Sequence, residues 1–158
     1  MISAKLGPGG LIHDSPCVYV LQIITERESL LYIGRTGTSN KTGTSSPYKR
    51  LAKHLAKAGS TQSCIWDNSQ VLSPEVLQSA TIRFEAVPVP LDYVSTAELW
   101  LLWKFREHHL LNKERKLPSI EPKIETKIRD LLAALFQKIE NMANKALKRD
   151  VAKSRHAP

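Results

Sequence analysis

The sequence predicts a mixed fold, α/β in content and α+β in arrangement, with strands near the start and a long helix at the C-terminal end. Three observations carry this. "CVYVLQII" (17–24) and "LLYIG" (30–34) are β-branched and aromatic runs separated by a short polar stretch, the pattern of an antiparallel hairpin. "STAELWLLWKFREHHLLN" (95–112) is an apolar run opening on capping residues, the pattern of a largely buried helix. From 121 to about 152 the apolar residues recur at steps of three and four, the period of an amphipathic helix.

Residues 1–15 hold Gly-Pro-Gly-Gly and no period, so they form a loosely held lead-in. The hairpin follows, and after Gly34 comes "RTGTSNKTGTSSP", a connection longer than most in compact domains. "SPYKRLAKHLAKAG" (46–59) has Ser46 as cap, Pro47 in the first turn and Gly59 at the end of a helix. Leu51 and Leu55 mark its buried stripe, while Arg50, His54 and Lys57 repeat along another face. In the ambiguous stretch 60–80, "SPEVLQSA" offers one or two helical turns. "TIRFEAVPV" (81–89) alternates Ile82, Phe84 and Ala86 against Arg83, Glu85 and Val87, a strand that Pro88 and Pro90 stop.

The helix of 95–112 takes Ser95 or Thr96 as cap and runs apolar through Leu99, Leu102, Trp103, Phe105 and Leu110 or Leu111. The terminal stripe is Ile124, Ile128, Leu131, Leu135, Ile139, Met142 and Ala146. At 1.5 Å per residue that helix is about 40 Å long, so it either packs back on its own domain or forms a dimer seam with another copy. The organisation is then a lead-in (1–15), one folded domain (16–117) and a terminal helix with a basic tail (118–158).

With 158 residues the chain can bury a real core. Its formal charge of +8 favours a polyanionic partner such as nucleic acid. Cys17 and Cys64 are too few for a disulfide scaffold and lack zinc-site spacing, which points to a reducing, cytoplasmic setting. No stretch approaches the roughly 20 apolar residues of a membrane span, and the terminal helix mixes acids into its polar face, which argues against a membrane-surface role.

The residues able to do chemistry are few. Tyr19 and Tyr32 sit on neighbouring strands, and Arg50 and His54 share a helix face one turn apart. Glu98 is the carboxylate of an otherwise apolar helix. Each has an ordinary structural explanation when taken alone: a core tyrosine, a solvated histidine, a capping-box glutamate three residues after Ser95, surface arginines.

Their order is more informative. "CVY" (17–19), "YIG" (32–34), "RLAKH" (50–54), "AELWLLW" with Glu98 and "HLLN" with Asn112 together resemble the GIY-YIG nuclease family over roughly residues 16–114. Cys17 and Val18 depart from the family's glycine and isoleucine, and the connection after Gly34 is longer than in compact members. The resemblance implies a small central three-stranded antiparallel sheet flanked by helices, and hydrolysis of DNA phosphodiesters with one divalent cation, Mg²⁺ or Mn²⁺. It implies Tyr19, Tyr32, Arg50, His54 and Glu98 as the catalytic set, with Glu98 as metal ligand.

Within that scheme Arg50 grips the scissile phosphate, and Tyr19 or Tyr32, Tyr19 for preference, accepts the proton of the attacking water, its phenol lowered by a neighbouring cation such as Arg35 or by the metal. Tyr32 and His54 position water and phosphate. Arg35, Lys49, Lys53 and Lys57 contact the DNA backbone, Gly34 lets backbone and DNA approach, and Asn112 supports the site by hydrogen bonding. The expected function is a metal-dependent DNA endonuclease; the alternative is a nucleic-acid-binding module that keeps the fold without cleaving.

Overall fold

The computed structural model describes residues 15–26, 28–37, 46–55, 76, 79–108, 110–112 and 119–154, with only the backbone described for 55 and 142–154. Strands β1 (Cys17–Ile24) and β2 (Ser29–Thr36) form the hairpin. Helix α1 (Pro47–Leu55) follows, then strand β3 (Thr81–Pro88), helix α2 (Leu91–Lys104) and helix α3 (Pro122–Ser154). The expected sheet is present: three antiparallel strands in the order β2-β1-β3. Between α1 and β3, Val76 and Ser79 are helical, and the Ala80 N–H donates to the Val76 carbonyl at 3.1 Å.

Both sheet faces are covered, which is why β1 reads as a continuous apolar run. On one face Tyr19, Leu21, Ile23, Leu30, Tyr32, Ile82 and Phe84 pack with Leu51 of α1. On the other, Val18, Val20, Leu31 and Ile33 meet Val94, Ala97 and Leu101 of α2 and Ile128, Leu132, Leu135 and Ile139 of α3. The layers are therefore α1, sheet, then α2 with α3. No helix among the described residues is long and apolar enough to cross a membrane.

Three expectations are corrected. Helix α2 starts at Leu91 and not at Ser95: Pro90 stands at the N-cap, with φ −54° and ψ 143°, and its carbonyl accepts from the Tyr93 and Val94 N–H groups. It also ends at Lys104. The chain then turns at Phe105, and Leu111 N–H donates to the Leu31 carbonyl at 2.8 Å, so Leu110 and Leu111 lie along β2 and not in the helix. The inward position of α3 is Leu132, fully buried, with Leu131 only half-buried. A straight helix has 3.6 residues per turn, and the described inward set (128, 132, 135, 139) alternates steps of four and three around that value.

The first half of the terminal stripe thus packs on its own domain. Met142 and Ala146 side chains lie outside the described residues, as do Gly59, Lys57 and most of 60–80.

Candidate active site

The β1–β2 register places Tyr19 opposite Gly34 and Leu21 opposite Tyr32, so both phenols project from the same sheet face toward α1. Helix α1 begins where Ser46 caps it, its Oγ accepting from the Lys49 N–H at 3.3 Å. One turn in, Leu51 and His54 face the sheet, while Tyr48, Lys49 and Lys53 face solvent. Arg50 is half-buried between those faces.

His54 is not a solvated surface histidine. It is 3 % exposed, and its Nε2 lies 2.7 Å from the Tyr19 hydroxyl, a hydrogen bond that either imidazole tautomer can make. Its ring sits 4.6 Å from that of Tyr32, and Tyr19 stacks on Phe84 at 5.3 Å. Burial, helped by the Arg50 charge, lowers His54 to a pKa of about 4, so the imidazole is neutral near pH 7. The phenol of Tyr19 moves the other way. Burial pushes it well above its ordinary value, reinforced by Tyr32 and Glu98 and opposed by Arg50.

This overturns the expectation that Arg35 lowers Tyr19. The period of two along β2 sends Arg35 to the face opposite Tyr32, where its Nε lies 3.2 Å from Glu98 Oε2 in an ion pair. The cation that acts on Tyr19, His54 and Cys17 is Arg50. Glu98 itself is 6 % exposed at the eighth position of α2, so a capping-box role is ruled out by the observed helix start.

Gly34 makes room within the site. A Cβ built there would stand 2.5 Å from Tyr19 Cζ and Oη, so the missing side chain is the slot that holds the phenol. Asn112 has the supporting role expected: its Oδ1 accepts from the Ile33 N–H at 2.9 Å and its Nδ2 donates to the Ile33 carbonyl at 2.7 Å. That pairing covers the outer edge of β2.

Tyr19, Tyr32, Arg50 and His54 therefore come together, and Glu98 lies close enough for its charge to act on Tyr19. Lys49 and Lys53 stand outside on the exposed face of α1, and Lys57 is outside the described residues. Phe84 was not singled out in the sequence; its signal was the alternation of β3, which puts it on the tyrosine face. For a cation, the donor chemistry is one hard carboxylate. Among the described residues no three His, Cys, Asp or Glu side chains group together. Such a set fits a cation that keeps most of its waters, as Mg²⁺ and Mn²⁺ do, and not a closed zinc cage. No protein-family model, curated protein or solved structure matches the chain.

Proposed function

We propose that this chain is a divalent-metal-dependent DNA endonuclease with a GIY-YIG-type site, acting inside the cell. The observation that carries the reading is the joining of Tyr19, Tyr32, Arg50 and His54, from β1, β2 and α1, into one cluster within reach of the Glu98 charge. The net charge of +8 suits a polyphosphate substrate.

In this reading Arg50 holds the scissile phosphate through its fork of donors. Neutral His54 is a proton acceptor already joined to Tyr19. The attacking water gives a proton to Tyr19 Oη as the phenol's own proton passes to His54 Nε2. The water oxygen bonds to phosphorus, the bond to the leaving sugar oxygen breaks, and that oxygen is protonated from solvent. A phenol that hands on its proton as it receives one never has to be a free phenolate, which removes the conflict with its raised pKa. Glu98 would hold the cation, which when bound supplies Lewis acidity at the phosphate.

One observation favours the non-catalytic alternative: Tyr19 is 1 % exposed and Tyr32 9 %. For catalysis the arriving phosphate must displace part of that cover. The test is incubation of wild type and Glu98→Ala with plasmid, flap and branched DNA in Mg²⁺ and in Mn²⁺. Cleavage by wild type alone supports the nuclease; binding without cleavage on every substrate supports the binding module.

A further inference from the structure

The carboxylate assigned to the cation already has a cationic partner. Arg35 Nε lies 3.2 Å from Glu98 Oε2, with the glutamate side chain 8 % exposed and the arginine side chain 26 % exposed. A carboxylate this deep in the fold is costly to bury without a nearby positive charge, and the guanidinium stands beside it. A divalent cation on the same carboxylate would stand a few ångströms from that guanidinium. Two such charges on one carboxylate repel, so the two occupants compete for it.

Arg35 is the second-last residue of β2, so its backbone is held by the register with Val18 while its side chain stays partly exposed near the rim of the sheet. Two residues on, Gly37 takes φ +86°. A guanidinium displaced from Glu98 at this rim has a DNA phosphate as its natural new partner.

We propose that Arg35 is a resident counter-cation for Glu98 that competes with the divalent metal, and that DNA phosphate draws it off so that metal and DNA bind cooperatively. Arg35 is a positioning residue here, acting through Glu98. The proposal rests on Glu98 being the metal ligand. Its thermodynamic content is a coupling between two ligands, which must be reciprocal: DNA raises metal affinity by the factor with which metal raises DNA affinity.

The test is Mn²⁺ binding to the full chain without DNA, followed by water-proton relaxation, for wild type, Arg35→Gln, Arg35→Met and Glu98→Gln, each checked for folding by circular dichroism. Whichever neutral Arg35 variant folds should bind Mn²⁺ about five-fold or more tightly than wild type, the lower end of ordinary coupling strengths. Glu98→Gln should bind more weakly than wild type. Unchanged or weaker binding in a folded Arg35 variant, with Glu98→Gln weakened, overturns the exchange and leaves Glu98 as ligand. Wild-type binding by Glu98→Gln overturns both the exchange and the metal site of the proposed function.

Discussion

Gly34 and His54 show what single residues contribute to this site. Because a Cβ at Gly34 would meet the Tyr19 ring at 2.5 Å, Gly34→Ala has to push the phenol out of its slot. Overpacking of this kind costs ~1–3 kcal/mol, so thermal unfolding should report that loss together with a drop in DNA cleavage. Cleavage undiminished in Gly34→Ala would mean that the Tyr19 position is not needed.

His54 gives a pH signature. Its folded value of about 4 lies below the ordinary 6.5, so between these the unfolded chain binds the extra proton. The histidine's contribution to stability is whole above about pH 6.5, falls as pH drops toward about 4, and is level below. Urea unfolding across that window should show a shallower acid decline in His54→Gln than in wild type. Identical slopes would show that the imidazole is not buried neutral. The sequence disclosed that Tyr19, Tyr32, Arg50 and His54 could share a place. It did not disclose that Gly34 makes the slot for the Tyr19 phenol, because that depends on which side chain the register sets across from it.

At the scale of elements, the third strand and the terminal helix were legible from period, and the hairpin from its β-branched and aromatic runs. The limits of α2 were not. Ser95 and Thr96 look like caps, yet the Pro90 carbonyl takes the first helical bonds and the helix starts earlier, and the return of residues 110–112 along β2 depends on a tertiary pairing that no local pattern encodes. That pairing should be measurable. Asn112→Ala removes two hydrogen bonds to the Ile33 backbone and should cost ~1–3 kcal/mol, with faster amide exchange at Ile33; unchanged exchange there would argue against it. In α3 a one-residue difference decides burial. Leu132→Ala should lose ~2–5 kcal/mol and Leu131→Ala clearly less, and a reversed order would mean that the helix is rotated from the orientation seen here.

Over the whole molecule, a sheet buried on both faces carries its two tyrosines toward α1 and Arg35 toward α2. The candidate site therefore draws on both sides of the sheet at the β2 end. Alternation along "YIGR" contained that split, since residues three apart on a strand point to opposite faces, but nearness in sequence drew Arg35 and Tyr32 into one group. The most direct measurement compares wild type and Glu98→Gln on supercoiled plasmid in Mg²⁺, recording both DNA affinity and nicking. Similar binding by both proteins is expected, with nicking by wild type and loss of nicking by ~10²-fold or more in the variant, as follows when charge stabilisation at the reacting phosphate is removed. Equal nicking by the two proteins, or no nicking by wild type, would contradict it.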